Sequence, residues 1–359
     1  STAAQHFRRG KLQIIYKTRQ RRPARAVSAV FYWLFLFCHL KKRAEYGIIN
    51  CPCGTVKTRV RQMKKIRINA NAKINLFLEV GARRADGYHD IESVMQSVTL
   101  CDTVTVCAGE EVPEGIRLEC GGLYTDERNI AYRAAALFFA ESGSEPRADI
   151  VIEKRIPIAA GLAGGSTDGA AVLYALNAIY DGVLDGKKLH ALAARLGADV
   201  PFCLDGGTAL ARGIGERLTP CAPMPDCHIL IAKRGEGVLT PEAYREIDRT
   251  REGDDAFLPR RAYRMLAALR SGDLDRVGAR LYNAFGALSY AETLGANAIA
   301  DICRSHGGYA LLSGSGPSVF ALFADEKDAA AAEVAVRAAY HDATVCLCRP
   351  ARKMTMDII

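Results

Sequence analysis

The chain has 359 residues, 49% hydrophobic and 25% charged, a globular balance that speaks against disorder, collagen and coiled coil and leaves room for two domains. Its formal charge of +8 is uneven: residues 1–62 hold fourteen Lys and Arg against one acid, Glu45, a net of +13 that leaves −5 for residues 63–359. An acidic body speaks against a nucleic-acid footprint on the folded part.

Within the basic segment, Ala26 to Leu40 is apolar but shorter than the roughly 20 residues a spanning helix needs. Lys41 and Lys42 follow it in place of a small-residue cleavage site, and with only Ser1 and Ser28 it lacks the serine content of a transit peptide. The expectation is that the native protein starts at Met63 and that residues 1–62 are an extension, non-native or disordered. No membrane partner is expected.

From Ile66 to Val80 apolar residues largely alternate, as in a strand. Asp86-Gly87 signals a turn, and Val94 to Val106 is further strand material. Asn129 to Ala140 has helical spacing, with Asp126 and Asn129 as caps. Asp149 to Ile158 alternates again. A helix is expected from about Thr167 to Tyr180, and a short one over Leu189 to Leu196 that stops at Gly197. After the prolines at 220, 223 and 225, Ile229–Ala232 reads as a buried strand and Pro241 through Leu281 as mostly helical. Leu311–Phe323 and Ala343–Cys348 read as strands flanking a helix rich in Ala and Val. Strands and helices mix without a regular βαβ repeat, so the fold class is α+β.

Twelve cysteines include no CxxC pair, so neither a zinc ribbon nor a thioredoxin-like motif is indicated. Cys51 and Cys53, like Cys346 and Cys348, have the spacing of one strand face. Cys101, Cys107 and Cys203 lie among apolar residues and read as small buried hydrophobes. Reduced thiols in a long chain point to the cytoplasm.

The segment Pro157-Ile158-Ala159-Ala160-Gly161-Leu162-Ala163-Gly164-Gly165-Ser166-Thr167-Asp168 carries the most chemistry. Glycines let backbone N–H groups converge on an anion, and the helix that follows aims its positive end at the same place. Ser166 and Thr167 sit at the cap, where hydroxyls can meet phosphate oxygens or, at Ser166, a Mg²⁺ ion. A small-residue turn packing a helix closely on a sheet, with Ser166 as an ordinary cap, would use the same residues. Neither GxxxxGK[ST] nor a GxGxxG after a strand is present.

Around this loop the chain resembles the GHMP kinases (galactose, homoserine, mevalonate and phosphomevalonate kinases). Three motifs stand in that family's order: Ala72-Lys73-Ile74-Asn75-Leu76-Phe77-Leu78, the loop over 157–171, and Leu312-Ser313-Gly314-Ser315-Gly316-Pro317-Ser318-Val319-Phe320. Asp86-Gly87-Tyr88-His89 and Leu196-Gly197-Ala198-Asp199-Val200-Pro201-Phe202 single out a branch whose acceptor is a cytidine diphosphate-linked methylerythritol. The resemblance covers residues 63–350. Asn71 stands where proline is common, and Ala163 where many relatives have glycine.

The resemblance implies two domains: residues 63–222, like the second domain of ribosomal protein S5 and binding ATP, and residues 223–359, ferredoxin-like. It implies a kinase using ATP and Mg²⁺, with Asp199 as base and Lys73 as its partner. Pro157, Ala159, Ala160, Gly161, Leu162, Ala163, Gly164, Gly165, Ser166 and Thr167 would bind ATP. Asn75, Tyr88, His89, Tyr244, Gly314 and Ser315 would bind the acceptor, with Tyr244 joining Tyr88 in stacking on cytosine. The protein would be a monomer or homodimer without nucleic acid. Another GHMP kinase, of homoserine or mevalonate type, and an RNA-binding module on the S5-like fold are the competing readings.

Overall fold

The computed structural model describes residues 48–51, 54–57, 64–237, 240–252, 259–288 and 295–359. The chain divides into two units, Ser1–Gln62 and Met63–Ile359. Within the first, β1 (Ile48–Cys51) and β2 (Gly54–Lys57) pair antiparallel. The apolar run at 26–40, Cys53 and Met63 lie outside the described residues.

The second unit opens on a long hairpin, β3 (Lys64–Arg83) and β4 (His89–Ala108). β3 alternates at first, burying Ile66, Ile68 and Ala70, and is then buried continuously from Ala72 to Val80. The change marks where one covered face becomes two: Ile66 and Ile68 pack among the helices, whereas Ile74, Leu76 and Phe77 pack against Ile229, Ile231 and Phe320 of a second sheet. β5 (Gly115–Glu119), α1 (Ile130–Ser142) and β6 (Arg147–Glu153) follow. Asn129 caps α1 by accepting from Ala131 N, and Gly143, in the left-handed region, closes it.

Next come α2 (Gly164–Ile179), α3 (Gly186–Leu196), α4 (Val200–Asp205), β7 (Thr208–Gly213) and β8 (Arg217–Pro220). α2 begins three residues before the expected Thr167, because Gly164 and Gly165 are themselves its first turn. Ser166 and Thr167 are therefore inside the helix and not at its cap. β6 stops at Glu153, short of the expected Ile158: the buried Asp102 carboxylate accepts from Arg155 N at 2.6 Å and Ile156 N at 2.8 Å and turns the chain out of the sheet. The half-buried Cys101 and Cys107 depart from the expected burial, since on β4 they lie on the face away from Val104, Val106 and Ala108. Cys203 is buried as expected.

After β9 (His228–Lys233) the described residues of the expected helical stretch form three helices, α5 (Thr240–Thr250), α6 (Tyr263–Ser271) and α7 (Leu274–Gly278). Two-residue β10 (Tyr282–Asn283), a 3₁₀ turn at Ala284–Ala287, α8 (Ala296–Ser305), β11 (Tyr309–Leu312), β12 (Val319–Phe323), α9 (Glu326–Ala339), β13 (Thr344–Cys348) and β14 (Thr355–Ile358) complete the chain. Cys346 and Cys348 of β13 face the same core cluster.

The first sheet runs β10–β3–β4–β6–β5, with β14 beside β3, β7 beside β4 and β8 beside β7. The second is antiparallel in the order β11–β12–β9–β13. With helices between β9 and β11 and between β12 and β13, that is the ferredoxin-like arrangement expected for the C-terminal half. The chain leaves the first sheet after β8 and returns to it with β10 and β14. No helix among the described residues is long and apolar enough to cross a membrane.

Candidate active site

Lys73 sits where the hairpin loses register. Asn71 opposes Cys101 but Lys73 opposes Ser97, so β4 carries extra residues there, a bulge of the kind that re-aims side chains. The Lys73 side chain is only 6% exposed, and Nζ donates to Asn75 Oδ1 at 2.7 Å. Asn75 Nδ2 donates to Ser93 Oγ at 2.9 Å, and Ser93 donates to Phe77 O at 2.8 Å, so the chain of donors ends on backbone. Asp199 Oδ2 lies 3.7 Å from the Lys73 ammonium.

Asp199 immediately precedes α4, in helical dihedrals, and its side chain makes no capping bond. Although Leu196, Ala198, Val200, Pro201 and Phe202 surround it in the sequence, 32% of the Asp199 side chain is open. Val200, Pro201 and Phe202 turn into the core and leave Asp199 at the rim. A carboxylate held by one ammonium and otherwise open to the cleft keeps acceptor capacity for an incoming hydroxyl.

The loop from Pro157 is suspended from β3, since Lys73 N donates to Leu162 O at 3.1 Å. Ala159, Gly161 and Ala163 are left-handed, with φ of 50°, 74° and 59°. Such alternation makes a concave row of N–H groups, and two alanines in that region store strain of about 1–3 kcal/mol each. At Gly161 no side chain fits: a Cβ would stand 2.2 Å from Ser313 O. The Ser313–Ser318 turn thus closes directly on the loop, with Ser313 Oγ donating to Gly161 O at 3.3 Å.

All of this opens onto one cleft of about 900 Å³. Of the residues expected to bind ATP, Pro157, Ala159, Ala160, Gly161, Ala163, Gly164, Gly165 and Ser166 line it, together with Lys73 and Asp199. Leu162 and Thr167 do not; both are buried beneath the loop. Asn75, Tyr88, His89, Tyr244, Gly314 and Ser315 line the same cleft.

Tyr88, however, is 60% exposed, and the Tyr244 ring stacks on His89, 5.1 Å away with planes 23° apart. Tyr244 also meets Phe285 edge-on at 5.1 Å. His89 Nε2 bonds Asp248 Oδ1 at 2.7 Å, which ties the hairpin tip to α5. Burial, with Asp199 nearby, pushes the Tyr244 phenol up to about 12, so it is a neutral donor at ordinary pH.

A cluster beside the loop went unassigned from sequence. Lys154 bridges Asp102 and Asp168, at 2.7 Å from Asp168 Oδ2, and all three side chains, two acids and one base, are buried or nearly so. Burial pushes the Asp168 carboxyl up to about 7 while Lys154 pulls the other way. Burial also disfavours the Lys154 ammonium, but Asp168 and Asp102 outweigh it and hold its pKa above the ordinary lysine value. Asp168 Oδ1 and Thr167 Oγ1 are buried without a hydrogen-bond partner. Lys154-Arg155 directly before the loop was the available signal; Asp102, 52 positions away, gave none. Beyond Lys154 the cleft wall is Leu123, Asn129, Ile130 and Tyr124, the last covered by the Arg128 guanidinium at 3.8 Å.

A strained backbone cradle at a helix start, a second glycine turn locked against it and a Lys–Asp pair lining the same cleft define the class of GHMP-type small-molecule kinases. The GHMP kinases N terminal domain matches residues 129–207 and the GHMP kinases C terminal domain residues 265–342. A 4-diphosphocytidyl-2-C-methyl-D-erythritol kinase of Alkaliphilus metalliredigens is 39% identical over 265 residues, 73% of this chain and 89% of that protein. One of Geobacter sulfurreducens is 40% identical over 280 residues, 77% of this chain and 96% of that protein. A solved 4-(cytidine 5'-diphospho)-2C-methyl-D-erythritol kinase superposes with TM-score 0.66 at 35% identity, over 79% of this chain and 98% of its own. Homoserine kinase from Cytophaga hutchinsonii, 19% identical with TM-score 0.63 over 82% of this chain and 97% of its own, shares the fold alone. The chain belongs to the 4-diphosphocytidyl-2-C-methyl-D-erythritol kinase family of the GHMP kinases.

Proposed function

We propose that this chain transfers the γ-phosphoryl group of ATP to the 2-hydroxyl of 4-diphosphocytidyl-2-C-methyl-D-erythritol, a step of the non-mevalonate route to isoprenoid precursors. The observation that carries the reading is the Lys73–Asp199 pair, 3.7 Å apart in a cleft lined also by the phosphate loop and by the His89–Tyr244 stack. Asp199 would accept the proton of the acceptor hydroxyl as its oxygen bonds the γ-phosphorus and the bridge to ADP breaks. Lys73, neutralising Asp199 and holding Asn75, would orient that hydroxyl, and the loop N–H groups would receive charge on the phosphates. His89, with one donor and one acceptor, and the aromatic surface of Tyr88 and Tyr244 suit a cytosine.

Mg²⁺ brought by ATP fits the same place: Ser166 lines the cleft in the first turn of α2, and the adjacent Asp168 has an unpartnered carboxylate oxygen. When bound it would neutralise charge on the phosphates, with Ser166 and Asp168 as its protein neighbours. With water-soluble substrates, the enzyme would work in the cytoplasm as a monomer or homodimer.

The test is ADP release from Mg-ATP with the cytidyl acceptor, homoserine and mevalonate offered separately. The cytidyl acceptor alone should drive turnover. Equal turnover with homoserine or mevalonate overturns the acceptor assignment, and retention of RNA at physiological salt without ADP release overturns the kinase.

A further inference from the structure

Glu79 of β3 and Glu92 of β4 are register partners, and both are buried. Opposed residues of an antiparallel pair project to one face, so two carboxylates share one patch and need donors to stay there. Most of those donors come from the connection between α5 and α6. Arg251, just after α5, donates Nη2 to Glu79 Oε1 at 3.0 Å and Nη1 to Val80 O at 2.5 Å. At the other end Arg260 N donates to Glu79 Oε2 at 3.0 Å, Ala262 N to Glu92 Oε1 at 3.2 Å and Arg261 Nη1 to Glu92 Oε2 at 3.2 Å. Arg212 of β7 adds a weaker contact to Glu92 at 3.6 Å. Both ends of the connection are thus fastened to the same acidic pair.

What the connection carries gives the fastening its consequence. α5 presents Tyr244, Arg245 and Asp248 to the cleft but buries only Ala243 and Ile247. Ala243, Ile247 and the Tyr244 ring contacts to His89 and Phe285 anchor its first two turns, but no side chain of the helix after Ile247 is buried, so the placement of its C-terminal end depends on polar ties. Those at its C-terminal half are Asp248 to His89 and Arg251 to Glu79. Neither Glu79 nor Glu92 lines the cleft.

We propose that Glu79 and Glu92 are positioning residues for the acceptor: their shared patch fixes the α5–α6 connection, and through it the helix bearing Tyr244 and Asp248, setting acceptor affinity without touching either substrate. The inference rests on the acceptor assignment above. Apolar side chains at these positions would pack the strands equally well but could not hold the backbone N–H groups of Arg260 and Ala262 or the Arg251 guanidinium.

The full chain and its Glu79→Gln, Glu92→Gln, Arg251→Ala and Arg251→Lys variants test it, by KM for each substrate, kcat, and amide hydrogen exchange. Glu79→Gln and Arg251→Ala should raise the acceptor KM about tenfold while ATP KM and kcat stay within about twofold, and Arg251→Lys should recover part of the loss. Exchange should quicken across Thr240–Thr250 and not across Gly164–Ile179. An unchanged acceptor KM, or equal losses for both substrates with faster exchange in both helices, overturns the proposal. Should a buried glutamine variant fail to fold, Arg251→Ala decides, since that side chain sits at the margin, 21% exposed. Failure of the wild type to phosphorylate the cytidyl acceptor strikes the assignment, and the exchange pattern then still decides whether Glu79 and Glu92 hold α5.

Discussion

Gly161→Ala tests whether the phosphate loop and the Ser313–Ser318 turn act as one cradle. The new methyl would stand 2.2 Å from Ser313 O and 3.2 Å from both Gly316 N and Gly316 O, all backbone atoms that no rotamer change can move. Ordinary contact begins near 3.4 Å, so the two turns must part by about 1 Å. Added to that, φ of 74° is one that glycine adopts freely and alanine does not. Together the strain and the overpacking cost about 2–5 kcal/mol of stability. A 1 Å displacement of groups that align a phosphoryl transfer costs on the order of 10²-fold in rate. Steady-state ADP release and urea unfolding on the same preparation separate the two effects. Gly165→Ala is the control: its methyl meets only Ile130 Cδ1, at 3.7 Å, and stability should stay within about 1 kcal/mol of wild type. A Gly161→Ala protein with kcat/KM within about threefold of wild type would refute the reasoning, because a true contact at that distance cannot be absorbed without moving the cradle.

Asp199→Asn should lower kcat by about 10²–10⁴-fold with ATP KM little changed, as loss of a general base does; burst and steady-state kinetics would show it, and near-wild-type turnover would end the assignment. Tyr244→Ala should raise the acceptor KM by about tenfold or more through lost stacking, with ATP KM unchanged, whereas Tyr244→Phe keeps both ring contacts and should remain near wild type; an equal rise for ATP would refute it. Asp168 carries a pH dependence of stability. Its folded pKa is raised from 3.8 to about 7, chiefly by burial, so the native state retains a proton that the unfolded chain releases between those values. The contribution is therefore full below about pH 4 and is lost as pH rises through about 7, a difference of up to about 4 kcal/mol. Asp168→Asn cannot titrate, so it should gain on the wild type by that amount between about pH 4 and pH 8; parallel urea-unfolding profiles would contradict it.

The parts legible in the sequence were those encoded by neighbours in the chain. Alternation marked β3 and β4, glycine density marked the loop, and Asn129 and Gly197 marked helix ends where the structure has them. What escaped depends on pairing between distant segments. β5, β7 and β8 are four to six residues long and carry little period of their own, while β10 and β14 are strands only because β3 lies beside them. The cleft divides in the same way. Lys73 and Asp199 stood out within local motifs, and the structure brings them to 3.7 Å. Asp102, Glu79 and Glu92 did not, because the purpose of a lone acid in a strand shows through its long-range donors, here 52 to 181 residues away. Tyr88 and Tyr244 were expected to stack on cytosine; in the structure both line the cleft, the Tyr244 ring meeting His89, which the Asp248 bond ties to α5, and Phe285, while Tyr88 stands exposed.

One hairpin underlies both halves of the cleft. Asp102, near the far end of β4, holds Arg155 and Ile156 where the chain enters the phosphate loop. Lys73, midway along β3, receives the loop through Leu162 and places its ammonium by Asp199. Further on, Glu79 and Glu92 hold the connection after α5, and at the tip His89 holds α5 itself. Strands paired over most of twenty residues are stiff relative to the loops and the short helix hung on them, so distances between these ties are set by strand geometry. Phosphoryl transfer asks a protein mainly for alignment of donor and acceptor, and a single ruler touching both is an economical way to provide it. Lys73 and Asn75, two positions apart with no register shift between them, share one face of β3 and so reach the one cleft together, while the shifts at Asn71–Lys73 and Asn75–Phe77 flank that regular stretch.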